Sequence, residues 1–134
     1  MKWRNKLPYL FCVFCCLMAS GSYSQVENLV INPGFETYES CPESTTDGFS
    51  HKLIPNWTYP SYTHPDYFNR CSKGIVKVPN NFAGSAEPHS GNAYMGAILT
   101  GSDYNYREYI QGELSEPLIA GQRYCVSYFY RLAS

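Results

Sequence analysis

Short apolar runs separated by turn formers, rather than helical stripes, set the pattern of this chain. Leu29-Val30-Ile31 is followed by Pro33-Gly34, Ile75-Val76-Lys77-Val78 by Pro79-Asn80-Asn81, and the run from Ala93 to Leu99 lies between glycines. Runs this short, bounded by proline, glycine and asparagine, predict strands. Glu108-Tyr109-Ile110-Gln111 predicts another. The clearest pattern comes last: Tyr124, Val126, Tyr128 and Tyr130 alternate with Cys125, Ser127, Phe129 and Arg131, after a turn at Ala120-Gly121-Gln122. Alternation of aromatic and β-branched residues predicts a two-faced strand. No segment carries an amphipathic helical stripe. The expected fold is therefore all-β, a sandwich or barrel of short strands.

Two stretches break this pattern. An apolar run from Leu7 to Met18 follows Lys2, Arg4 and Lys6 and precedes Ala19-Ser20-Gly21-Ser22, the order of a secretory signal peptide. Its length of about 12 residues falls short of the roughly 20 that a bilayer-spanning helix needs, so no stable membrane span is expected. Cleavage could follow Gly21 or Ser24; the second is preferred and would divide the chain into a leader, 1–24, and one β-domain, 25–134. Cys12, Cys15 and Cys16 read as apolar filler in the leader, because the residues before them, Phe11, Phe14 and Cys15, are not the small ones that lipoprotein processing requires. From Tyr38 to Arg70 the chain instead carries Pro42, Pro55, Pro60 and Pro65 among Trp57, Tyr59, Tyr62, Tyr67 and Phe68. Proline at this density excludes a long helix or a central strand, and a loop of that length is usually functional.

Charge and cysteine usage narrow the function classes. The leader holds three of the ten basic residues and none of the eleven acids, so the remainder has a net charge of 7 − 11 = −4. That balance argues against nucleic acid or anionic membrane as a partner. Export would place Cys41, Cys71 and Cys125 in an oxidising compartment. Cys41 and Cys71 lie in loop-like sequence and are expected to pair, leaving Cys125 as a buried free thiol inside the last strand. Paired Cys-x-x-Cys is absent beyond the leader and His51, His64 and His89 are scattered, which argues against zinc. His64 and Asp66 are close in sequence but belong to no nucleophile motif, and Arg107-Glu108 reads as a solvated strand pair. The chain is not expected to be an enzyme.

Asn28-Leu29-Val30-Ile31-Asn32-Pro33-Gly34-Phe35-Glu36 resembles the N-L-x-x-N-x-x-F-E opening of galactose-binding-like jelly-roll modules, which include many carbohydrate-binding modules. Ile110-Gln111, Leu114, Leu118, Gly121 and Tyr124-x-Val126-x-Tyr128 resemble the later Q-x-L … G-x-x-Y-x-V-x-F strand pair, and Ser90-Gly91-Asn92-Ala93-Tyr94 the SG-x-x-Y strand entry. The order of Ser40-Cys41-Pro42, Asn56-Trp57, Pro65-Asp66-Tyr67-Phe68-Asn69, Cys71, Val78-Pro79-Asn80-Asn81 and Arg107-Glu108-Tyr109-Ile110 is similar to that of a secreted module of Bacteroidota surface proteins. Such modules often precede OmpA-like, gliding-motility or type 9 sorting domains.

The resemblance implies a galactose-binding-like jelly-roll β-sandwich, incomplete at its C-terminus, with its closing strands and a downstream domain beyond Ser134. It implies an exported, non-catalytic binding module of the periplasm, outer surface or medium, with glycan or cell-envelope partners. In a bacterial protein the Asn56-Trp57-Thr58 sequon is chance. Trp57, Tyr59, Tyr62 and Tyr67 are the candidate ligand-binding residues, since sugar rings stack on flat aromatic faces. The competing reading buries such rings as a small core stapled by Cys41 and Cys71, and it is favoured for Trp57 and Phe68. The opening-motif Glu of the family helps hold a structural calcium, which makes Glu36 the candidate metal ligand; calcium wants six to eight oxygens, so Glu36 would be part of a site only. The alternative function is a structural or protein-interaction module without a sugar site.

Overall fold

The computed structural model describes residues 27–45, 53–101 and 105–133. The predicted leader lies outside them. Among the described residues the regular elements are all strands: β1 (Trp57–Thr58), β2 (Asp66–Asn69), β3 (Asn80–Asn81), β4 (Gly84–Ser85), β5 (Ala93–Gly96) and β6 (Gln111–Gly112). They form antiparallel pairs, β1 with β6, β2 with β5 and β3 with β4. The all-β expectation holds, in small sheets.

The β2–β5 pair is the centre of the molecule. Its register sets Tyr67 opposite Met95, Phe68 opposite Tyr94 and Asn69 opposite Ala93. Successive side chains of a strand point to opposite faces, so one pair of strands serves two clusters. Tyr67, Ala93 and Met95 join Leu53, Ile54, Phe35, Trp57 and Tyr59 on one side. Phe68 and Tyr94 join Val76 and Val78 on the other. On that second face Phe68 stacks between Tyr94 (5.0 Å, 18°) and Phe82 (5.6 Å, 22°). Gly96 makes room for the stack, because a Cβ there would sit 2.7 Å from the Phe68 ring.

A second ribbon runs beside this pair. Val30 bridges to Leu114, with Ile31 N donating to Glu113 O (3.0 Å) and Ser115 N to Leu29 O (2.8 Å). On its other side the same segment meets β1, where Trp57 faces Gly112 and Glu113 N donates to Asn56 O (2.8 Å). The opening stretch and the segment after Ile110 are thus neighbours in one ribbon. Cys41 and Cys71 form a disulfide across 30 residues, closing the chain that contains β1 and β2.

Several expected strands differ. Segment 124–131 carries the cleanest alternation, yet it forms no strand and is exposed throughout; alternation fixes which faces a strand would present, but a strand also needs a partner for its backbone. Cys125 is free as expected but exposed, because the segment that holds it pairs with no strand among the described residues. Ile75–Val78 forms a turn with one parallel bridge from Lys77 to Asn69. Val76 and Val78 are nonetheless buried while Ile75 is half-exposed. The strand expected at Glu108 starts only at Gln111. Conversely, the proline-rich stretch that excluded a central strand contains β2, the most buried strand of all; Pro65 precedes its first residue, where no ladder donor is lost.

Two stability effects are expected. Serine at Cys41 and Cys71 should lower the unfolding free energy in urea by about 2–4 kcal/mol by freeing the closed loop. Gly96→Ala should cost about 1–3 kcal/mol by displacing the Phe68 ring.

Candidate functional site

The opening stretch folds into a turn held by its own asparagine. Asn32 Oδ1 accepts from Thr37 N (3.0 Å) and Asn32 Nδ2 donates to Thr37 O (2.9 Å). The Asn32 carbonyl accepts from Phe35 N (3.1 Å) and from the Trp57 indole Nε1 (2.9 Å). Asn32 and Phe35 both adopt left-handed backbone, with φ of 52° and 60°. Asparagine tolerates this region, whereas a bulky residue there costs about 1–2 kcal/mol. Contacts on three sides hold Phe35 in place. Its ring packs against Trp57 at 4.6 Å, its N–H is bonded, and its carbonyl accepts the Tyr67 hydroxyl at 2.8 Å.

Glu36 is the next residue and faces the start of β5. Its carboxylate accepts from Asn92 N (2.7 Å), Ala93 N (3.1 Å) and Asn92 Nδ2 (3.2 Å). Gly91 has φ of 68°, and a Cβ there would collide with this carboxylate. The donors around Glu36 are N–H groups, which complement a carboxylate and supply nothing to a cation. The set does not fit a calcium site, and among the described residues no group of three or more His, Cys, Asp or Glu could hold a metal ion. The observed geometry makes Glu36 a latch between the opening turn and β5.

The candidate aromatics separate. Tyr67 is 3% exposed and belongs to the core, with its hydroxyl pinned to Phe35 and burial pushing its pKa up to about 12. Trp57 is half-buried and tied by its indole N–H. Both rings fill space between the strands, so neither presents an open face. Phe68 is likewise buried, in line with the expected small core. Tyr59 is half-buried, 6.1 Å from the His64 ring. Tyr62 is fully exposed, at 106%. It sits on a loop held in shape by Ser61 Oγ donating to Thr63 O (2.9 Å) and by Thr63 Oγ1 donating to Arg107 O.

That loop adjoins a polar cluster that the spacing of the chain did not reveal. Glu108, expected to be solvated, is 6% exposed; it accepts from Ile98 N (2.7 Å) and from the Tyr106 hydroxyl (3.0 Å). The Tyr106-x-Glu108 spacing, which places both side chains on one side of an extended chain, is the signal that marks it. Asp66, at the start of β2, is held at a pKa of about 6 by burial first and by the Glu108 charge second, with His64 opposing. His64 Nδ1 is buried without a hydrogen-bond partner among the described residues. Tyr59, His64, Asp66, Tyr106 and Glu108 are thus linked to one another, with Tyr62 on the loop that runs between Tyr59 and Asp66.

Compared with known protein families, with curated proteins and with solved structures, the chain matches none. Among the described residues no helix is long and apolar enough to cross a membrane.

The raised Asp66 pKa predicts a pH dependence of stability. Folded Asp66 binds its proton more tightly than the unfolded residue, whose ordinary value is 3.8. Its contribution is fully present below that value and is lost as pH rises through about 6. Denaturation midpoints should therefore fall between pH 4 and 7 on account of this group, and Asp66→Asn should flatten that part of the curve.

Proposed function

We propose that this chain is an exported, non-catalytic module of the cell envelope or surface that binds glycan through loop 59–66. The reading treats the fold as a galactose-binding-like jelly-roll sandwich, of which the small antiparallel sheets are part. The observation that carries it is Tyr62, fully exposed on a loop fixed by side-chain hydrogen bonds. A flat exposed ring on a loop that ends at a half-buried carboxylate offers what a sugar needs: the ring takes the apolar C–H face and the carboxylate accepts from hydroxyls. Asp66 supplies that acceptor, with Tyr59 as the second ring. The Cys41–Cys71 disulfide supports export, because such links persist in oxidising compartments. Trp57 and Tyr67 act here as frame rather than platform.

A second reading, a structural or protein-interaction module, is favoured by a different observation. Val126 (86%), Tyr128 (79%) and Tyr130 (83%) leave one apolar row uncovered, and patches of this kind mark interaction sites.

A glycan array on residues 25–134 should return specific binders. Tyr62→Ala should weaken that binding roughly tenfold with the denaturation midpoint unchanged. An array without binders, or binding indifferent to Tyr62→Ala and Tyr59→Ala, would leave the protein-interaction reading in its place.

A further inference from the structure

Among the described residues, strand β5 is paired on one side only. Arg70 N donates to Asn92 O at 3.0 Å, one step beyond the Asn69–Ala93 register pair. Bonded and non-bonded pairs alternate along an antiparallel ladder, so Ala93 and Met95 turn their N–H and C=O groups away from β2. Asn69 agrees, since its N–H leaves the β5 side and reaches Val76 O at 3.3 Å. The outward N–H of Ala93 is taken by Glu36 Oε1. The outward N–H and C=O of Met95 have no backbone partner among the described residues. The edge is therefore open at Met95, and open backbone groups of this kind are a template for another strand.

Segment 123–131 has the alternation of an added strand and touches the chain shortly before β5. Its rows alternate, and the Tyr128 and Tyr130 rings lie 6.3 Å apart on one side, as a spacing of two along a strand requires. Phe129 stacks on His89 with ring centroids 3.4 Å apart and planes at 10°, four residues before β5 begins. The Arg131 charge reaches Tyr94, within β5. Charge also favours the approach: the segment holds Arg123 and Arg131 and no acid, while the rest of the chain from Gln25 onward carries 5 − 11 = −6.

We infer that segment 123–131 is a strap that closes as an added strand on the outer edge of β5 of its own chain, satisfying Met95 and covering the apolar row Tyr124, Val126, Tyr128 and Tyr130. The surface offered to partners then depends on whether the strap is docked. A competing strand from a partner would use the same edge.

Hydrogen exchange of the Met95 amide on residues 25–134 tests this. The closed strap protects that amide roughly tenfold or more over an unpaired edge position, independently of protein concentration. Val126→Pro, which removes a backbone donor, abolishes the protection while the Phe68 and Tyr94 amides, a bonded pair of the β2–β5 ladder, stay slow, showing that the core persists. Tyr128→Asp, which keeps every donor but charges the apolar row, weakens it. A Met95 amide that exchanges freely in the parent chain overturns the inference, as does protection that grows with concentration, which would assign the strand to a second copy.

Discussion

A buried chain of hydrogen bonds through Asn69 and Tyr67 is the constraint on which the rest of the molecule depends. Asn69 is 1% exposed, accepts from Cys71 N (2.9 Å) and donates through Nδ2 to the Tyr67 hydroxyl (2.6 Å), which in turn donates to the Phe35 carbonyl (2.8 Å). Polar groups this deep must be satisfied, and leaving one unpaired costs about 1–3 kcal/mol. Each link joins a different part of the chain: the disulfide corner, the central strand and the opening turn. The relay orients Tyr67 toward the first cluster and leaves Phe68 for the second. It also supplies part of the force that keeps Phe35 in a backbone region bulky residues avoid.

Much of this was legible in the chain, but unevenly. The strand that starts at Ala93 was readable because a short apolar run between glycines has few alternatives, although the run expected to reach Leu99 is strand only as far as Gly96. Cys41 and Cys71 were readable because both lie in loop-like sequence of an exported pattern. Asp66–Asn69 was not, since its prolines argue against a strand and only the tertiary register with β5 shows that Pro65 stops just short of it. Segment 124–131 fails in the opposite sense: its local pattern is ideal, yet pairing is a property of two segments and one alone does not secure it. Glu108 looked solvated and Glu36 a candidate metal ligand from their neighbours, and the partners that hold them are N–H and O–H donors distant or offset in sequence, Ile98 N and the Tyr106 hydroxyl for Glu108 and Asn92 and Ala93 for Glu36.

The same division governs the candidate site. Rings that look equivalent in the sequence fall into two physical kinds, those that hold the frame and those that the frame displays. Trp57 and Tyr67 spend their polar atoms on Asn32 and Phe35 and cannot turn outward without breaking the core. Tyr62 has no such commitment, while its loop is restrained by hydroxyl bonds that keep the exposed ring from being merely mobile. Binding on a rigid display of this sort avoids much of the ordering entropy that a free loop would lose.

The position of Trp57 has a spectroscopic consequence. The chain has two tryptophans, and the other, Trp3, lies in the predicted leader. After removal of that leader a single indole reports on the molecule. It sits where the opening turn, β1 and β6 meet, hydrogen-bonded to Asn32 and packed on Phe35. Because the same ring also packs against the first cluster, with Tyr67 of β2 and Ala93 of β5, its emission senses the joining of the first and later parts of the chain together with the core that the central pair builds, and intrinsic fluorescence will register the two as one signal.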